Sequence, residues 1–328
     1  MLKYILKRLA LAILILVGVS LIIYTLVRCM PTSFIDAKIA QMNQGGATVP
    51  QETIDAMKKL YGLEDNSFLG IIKGYFSWFG NMCKLDFGNS FVYGSPVTDV
   101  IKDYMDVSFK VALIATIFEF MIAIPLGITA ATHQYSIRDY VVTIFVMIGV
   151  SLPSFFFGQI LKNIFGMQLR WFPVVGSSDA TQVGGGGFFS DLRYLFLPIL
   201  TVVILSIGGR MRMTRTNMLE VLNADYIRTA RAKGLRERTV IYKHAFRNTL
   251  IPIVTSLAGL LPSLFSGAII TEQIFNLEGI GNKAFQAMMK GDIPLIMGYN
   301  LFLAILSVVG VLLADLTYAL VDPRVKLS

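Results

Sequence analysis

Residues that do chemistry in soluble enzymes are scarce in this chain. Its 328 residues hold two cysteines, two histidines and two tryptophans, and only 15% are charged. Two cysteines, Cys29 and Cys83, make no disulfide framework. The histidines, His133 and His244, lie far apart, and neither has Cys, Asp or Glu at ligand spacing, so no metal site is expected. No G-x-x-x-x-G-K-[ST] loop occurs, and Gly279-Ile280-Gly281 lacks the strand and helix of a dinucleotide fingerprint. If nucleotide drives this protein, another chain binds it. Asp86-Phe87-Gly88 has no glycine-rich or catalytic-loop companion and is no kinase signature.

What the chain has instead is apolar length. With 55% hydrophobic residues and a mean hydropathy of +0.64, it is too apolar for a soluble domain. A membrane-crossing helix needs about 20 apolar residues for about 30 Å of hydrocarbon. Uncharged runs cover 9–27, 140–161, 248–271 and 293–314. Two further candidates are 111–132, interrupted by Glu119, and 194–209. These predict an all-α integral membrane protein with six transmembrane helices. The first run lacks an A-x-A site and reads as an uncleaved span.

Charge is unevenly spread. The chain carries a net +8, and 210–247 alone holds ten basic residues against three acids, a net of +7. Such loops are retained on the cytoplasmic side, where anionic lipid holds them. Lys3, Lys7 and Arg8 precede the first span, and Arg324 and Lys326 follow the last, so both termini are expected to be cytoplasmic. Residues 30–106 carry six basic residues and nine acids, net −3, which suits the opposite side. The expected organisation is a cytosolic N-terminus and first helix over 1–29 and a small extracytoplasmic subdomain over 30–106. A five-helix core over 107–328 follows and includes a cytosolic loop at 210–248. In the subdomain, Pro50 can start a helix that Gly62 ends.

Within the basic segment, Asn223 can cap a helix whose first turn holds Asp225, and Gly234 can close it in the left-handed conformation. A second helix can restart after Leu235. Two short helices joined at a glycine make a compact knob on the membrane surface.

Glu119 is the one acid well inside an expected span, and an intramembrane carboxylate is a functional candidate by default. It either lines a path or hydrogen-bonds to a neighbouring helix or a partner. Asp315, near the cytosolic end of the last span, can pair with a nearby Arg or Lys. Pro125, Pro153, Pro198, Pro252 and Pro262 interrupt spans, and broken helices are tolerated where they face protein or a water-filled cavity.

Arg228-Thr229-Ala230 followed by Gly234 resembles the EAA loop of ABC-importer permeases, the helix that sits in a groove of the ATPase subunit. The string DYIRTARAKGL with KHAFRNTLIP is similar to the version in permeases of oligopeptide and dipeptide importers, a peptide and nickel class. Arg228 and Thr229 replace the Glu and Ala of the general pattern, a departure that this branch shares. Further matches are KKLYGLED, CKLDFGNSF, SLPSFFFG, RWFPVVG, TEQIFNLEGIG and DPRV, covering nearly the whole chain in order. Pro31-Thr32-Ser33 stands where the family commonly has Pro-Gly-Asp-Pro.

The resemblance implies a type I ABC importer permease fold in a bacterial-type plasma (inner) membrane. The chain would be half of a translocation path completed by a second homologous permease. An extracytoplasmic substrate-binding protein would deliver peptide, and two ABC ATPase subunits would bind ATP and Mg. No cofactor of its own and no nucleic acid are implied, and membrane lipid is the remaining partner. The coupling residues carried over are Asp225, Tyr226, Arg228, Thr229, Ala230, Arg231, Ala232, Lys233, Gly234, Leu235 and Arg236. Thr229, Ala230 and Ala232 would allow close approach to the groove, Gly234 would set the turn, and Arg231, Lys233 and Arg236 would contact its rim. Glu119 and Pro153 are the candidates for the path. Dipeptides, longer peptides, nickel chelates and glutathione use closely similar permeases. The rival readings are an ion-coupled secondary carrier, which should show internal repeats and several intramembrane charges, and a membrane-anchored interaction protein.

Overall fold

The computed structural model describes residues 2–28, 50, 52, 68–84, 86–174, 188–256 and 259–321. The helix expected over 50–62 falls almost wholly outside these residues, as does the DPRV string. Among the described residues the only extended pairing is an antiparallel bridge between Asn89 and Pro96, and the rest of the regular structure is helical.

The helices in chain order are α1 (Leu2–Arg28), α2 (Phe68–Met82), α3 (Val97–Thr132), α4 (Ile137–Ser151), α5 (Ser154–Leu161), α6 (Phe188–Leu222) and α7 (Asp225–Ala232). After a single turn, Glu237–Thr239, follow α8 (Arg247–Ser256), α9 (Leu260–Phe265), α10 (Ile269–Ile274), α11 (Ile280–Met289) and α12 (Ile293–Val321). Wider π-type turns, Lys162–Gln168 and Val240–Phe246, extend α5 and lead into α8.

Three described helices, α3, α6 and α12, are long and apolar enough to cross a membrane. A fourth crossing is available if α4 and the α5 segment, bent by 99° at their junction, count as one. Of the six crossings expected from the sequence, the described residues therefore supply three, or four with the bent pair, as helices of sufficient length and apolarity. The run 140–161 breaks at Leu152, which is extended (φ −86, ψ 132) because the ring of Pro153 disfavours helical backbone before it. The run 248–271 comes as α8, α9 and α10, with Gly267 at φ +67 between the last two. Pro125, Pro198 and Pro252 instead sit inside helices that continue through them.

The chain forms two compact units. The first comprises Met1–Asp106 with Ile280–Val308, and its core gathers Tyr24, Tyr75, Val97, Val100, Ile280, Leu295 and Met297. Tyr24 and Tyr75 meet edge to face at 5.6 Å, and Ser20 Oγ and Tyr75 Oη share a hydrogen bond at 3.0 Å. In the same unit the Asp86 carboxylate accepts from Gly88 N at 2.9 Å, so Asp86-Phe87-Gly88 is a local turn.

The second unit comprises Val107–Gly279 with Val309–Ser328. Its larger cluster packs Val111, Ala115 and Ala123 of α3 against Leu195, Ile199, Val203 and Ile207 of α6, with Phe275 and Leu277. Helix α4 lies close on α6: Gly149 is buried, and a Cβ there would come within 2.9 Å of the Ile204 carbonyl oxygen. Small residues at such crossings let helix backbones approach where lipid supplies no hydrophobic drive. The outer face of α4 exposes Val141, Ile144, Phe145 and Ile148, the apolar surface a lipid-facing helix presents.

Candidate functional site

The knob is built from α7 outward. Ile227 and Ala230, three residues apart and hence on one helical face, are buried among Ile128, Ala131, Met218, Val240 and Ala245. The opposite face, with Asp225, Tyr226, Arg228, Thr229, Arg231 and Ala232, is exposed. Gly234 takes φ +73, where a Cβ is disfavoured. Its N–H donates to Arg231 O at 2.9 Å and the Leu235 N–H to Ala230 O at 3.4 Å, closing the helix C-terminus. Backbone then restarts at Glu237, so the helix, glycine and second helix follow in the order read from the sequence.

Two details differ from that reading. Asn223 does not cap α7: its Nδ2 donates back to Leu219 O at 2.9 Å, and the capping position falls to Ala224, whose side chain supplies no bond. Ala230 points inward and cannot give close approach to a partner, because the helical period pairs it with Ile227. Thr229, Ala232, Lys233, Leu235 and Arg236 do stand exposed. Tyr226 Oη accepts from Asn248 Nδ2 at 3.1 Å, and Arg228 pairs with Asp225 at 3.5 Å on the surface. Arg231 is engaged within the knob, donating to both Glu237 oxygens at 2.8 and 3.2 Å. That hydrogen-bonded guanidinium holds the Glu237 carboxyl below the usual carboxylate range, and the carboxylate raises Arg231 further.

The basic segment begins inside a helix and not in a loop, since α6 continues to Leu222 and carries Arg210, Arg212 and Arg215. Arg210 Nε donates to Glu119 Oε1 at 2.9 Å, its Nη1 to Ser256 Oγ at 2.8 Å, and the guanidinium lies 4.9 Å above the Phe120 ring. Of the two readings left open for Glu119, the bond to a neighbouring helix is therefore present. Arg215 makes two bonds to Asp139, Nε to Oδ1 at 3.0 Å and Nη2 to Oδ2 at 2.8 Å. Asp139 was not singled out from the sequence, where the signal for it is Ser136-x-x-Asp139 ahead of an apolar run, the form of a capping box. Ser136 Oγ indeed accepts from Asp139 N at 3.4 Å, and Asp139 accepts from Tyr135 N at 3.1 Å.

Glu119 is also not the only deeply placed acid. Glu272 is 1% exposed, accepting from Ser108 Oγ at 2.6 Å and Ala268 N at 3.2 Å. Asp292 is fully buried, accepting from Ser90 Oγ and from the amides of Phe91 and Val92 at 3.1 and 3.0 Å. Sequence reasoning passed over both. Glu272 lies one residue beyond an expected span, and the only hint was its apolar surroundings in TEQIF. Pro153 makes the α4 to α5 bend and is absent from the lining of the cavity that Glu119 borders. The Asp315 side chain lies outside the described residues.

Residues 123–327 match the family described as the binding-protein-dependent transport system inner membrane component. The chain is 36% identical over 331 residues to the oligopeptide transport system permease protein AppB of Bacillus subtilis (strain 168), covering 99% of this chain and 100% of that one. It is 32% identical to the dipeptide transport system permease protein DppB of Alkalihalophilus pseudofirmus, covering 99% of this chain and 100% of that one. To the oligopeptide transport system permease protein OppB of Haemophilus influenzae it is 31% identical, again over 99% and 100%. A match across more than half of the chain, full-length relatives and its own apolar helices together make it a multi-pass member of the family of inner membrane components of binding-protein-dependent transport systems.

Proposed function

We propose that this chain is the permease subunit of a peptide-class ABC importer, forming half of a translocation path and coupling to two ATPase subunits through its EAA-type knob. The observation that carries the reading is α7 itself. It is anchored to the bundle by Ile227 and Ala230, stopped by Gly234, and presents an exposed face of Thr229, Ala232, Lys233 and Arg236. The relatives that match the chain end to end are oligopeptide and dipeptide permeases, which supports peptide as the cargo class.

In this reading the six crossings are α1, α3, the α4 and α5 pair, α6, the α8 to α10 series, and α12. Both termini and the knob are cytoplasmic, and residues 30–106 form the extracytoplasmic subdomain. A substrate-binding protein delivers peptide on that side, and a second homologous permease completes the path. The partner subunits bind ATP and Mg; this chain holds no hydrolytic site. Each state is favoured by differential contacts, and the closing ATPases move α7 as a rigid lever. The Arg210 to Glu119 and Arg215 to Asp139 bonds provide the route by which motion of α6 reaches α3 and α4.

The test is reconstitution of the four membrane and ATPase subunits with a peptide-loaded binding protein in proteoliposomes. Peptide should accumulate when ATP is supplied on the face bearing α7, with an ionophore collapsing every ion gradient. Uptake that stops with the ionophore, or continues without nucleotide, would favour an ion-coupled carrier.

A further inference from the structure

A slot of about 260 Å³ lies in the second unit between α3, α6 and the break separating α9 from α10. Ser108, Thr116 and Glu119 line it from α3, Ser206 and Arg210 from α6, and Ala268 from the break. Ser108 to Glu119 is eleven residues, which at about 1.5 Å per residue carries the slot through roughly half of the hydrocarbon thickness. Non-helical backbone at this depth is tolerated where it is buried in protein or faces water, and Gly267 and Ala268 of the break both border the slot.

Four polar groups on its walls are unspent. Serine and threonine inside helices commonly donate to the carbonyl four residues back, as Thr201 does to Leu197 O at 2.8 Å. Among the described residues the Thr116 and Ser206 hydroxyls have no such bond. The ion pair is also half used, because Arg210 spends Nε and Nη1 while Glu119 spends Oε1. Among the described residues Arg210 Nη2 and Glu119 Oε2 have no hydrogen-bond partner. A donor and an acceptor are thus held side by side on a wall whose two charges cancel, with two hydroxyls further along.

We infer that this slot is a transit site for the main chain of an extended peptide, with Glu119 Oε2 accepting a backbone N–H and Arg210 Nη2 donating to the C=O of the same residue. The inference rests on the peptide reading above and adds the chemistry the path recognises. In extended backbone the N–H and C=O of one residue point to the same side, as in a sheet ladder. A neutral amide pair leaves the balance of the buried charges untouched, whereas a lone carboxylate or ammonium would leave one charge uncompensated in a low-dielectric wall. Recognition of main chain also leaves side chains unread, which suits cargo of varied sequence. Thr116 and Ser206 serve the following peptide groups as adaptable donors and acceptors.

The test reads occupancy directly. Cys29 and Cys83 are replaced by Ser, and Ala112→Cys or Ser206→Cys places one thiol on the slot wall of the full-length chain in its purified complex. Labelling by a small thiol reagent is timed with trialanine and with its isomer trisarcosine, which has the same mass and terminal charges but no amide N–H. At trialanine concentrations about twice its Kd, labelling should slow about threefold. Trisarcosine should leave the rate unchanged, and Glu119→Gln should abolish the protection by trialanine. Equal protection by both isomers overturns the main-chain assignment, and protection by neither shows that the slot holds water alone. Normal ATP-driven trialanine uptake without protection sinks this site and leaves the importer reading standing. Absence of nucleotide-dependent uptake sinks the importer reading, and the labelling still decides the site.

Discussion

Arg231 with Glu237 on the knob and Arg215 with Asp139 between α6 and α4 are ion pairs of the same geometry, each with a guanidinium on both carboxylate oxygens at about the same distances. Their surroundings differ. On the knob the side chains are 44% and 55% exposed, while Arg215 and Asp139 are 27% and 5% exposed. Water screens the first pair, so either partner can be traded for a contact with another protein at little cost. For the second, removal of one partner strands the other away from water. The chain thus keeps exchangeable charge on the knob and fixed charge where α6 meets α4.

The largest effect should follow from Asp139→Ala. It leaves the Arg215 guanidinium uncompensated and removes the acceptor for the Tyr135 amide. Breaking one side of a buried pair typically costs about 3–5 kcal/mol. The variant should show a markedly lower thermal midpoint in detergent, or fail to accumulate as a monodisperse protein. Glu237→Ala, measured alongside, should stay close to the parent. Equal losses in the two variants would erase the distinction between the pairs.

Sequence gave access to much of this arrangement but not to its breaks. Helices α3, α6 and α12 were legible because long apolar runs have few other fates. The knob was legible because Gly234 acts locally, closing α7 at φ +73, whereas the Ile227 and Ala230 spacing that turns Ala230 inward was not read. The breaks were not, because proline alone does not decide them. Pro125, Pro198 and Pro252 are carried inside helices, and only Pro153, preceded by an extended Leu152, divides a run. The end of α6 was misplaced for a related reason. Arg210 and Arg215 look like loop residues until their partners Glu119 and Asp139, distant in sequence, are known. Asn223 looked like a cap, yet its side chain bonds backwards to the helix it follows.

A smaller effect on stability, with a larger one on transport, is expected at Gly234. Gly234→Val puts a β-branched side chain at φ +73, which costs about 1–2 kcal/mol locally and re-aims the chain leaving α7. No neighbour lies within 4 Å of the added Cβ, so the strain is in the backbone alone. Membrane insertion and the thermal midpoint should stay close to the parent, while peptide uptake and co-purification of ATPase subunits fall. Normal uptake by a well-expressed variant would remove the knob from the mechanism.

The smallest effect concerns pH and tests whether the knob clip is as exchangeable as its exposure implies. Hydrogen bonds from Arg231 hold the Glu237 carboxyl below its ordinary range, with burial opposing. A carboxyl lowered in the folded state contributes stability above its unfolded-state pKa and loses it as pH falls through the lower folded value. The clip is therefore complete at neutral pH and opens only below the ordinary carboxylate range. With both side chains about half exposed, its contribution should be a few tenths to about 1 kcal/mol, and added salt should reduce it. Exchange of the Leu235 and Arg236 amides, corrected for the intrinsic effect of pH, should be unchanged from neutral pH down to the ordinary carboxylate range and quicken slightly only as pH falls below it, and Glu237→Gln should remove that dependence. A large acceleration already at pH 6 would mean that other groups hold the knob, and that its charge is fixed as firmly as that of Arg215 and Asp139.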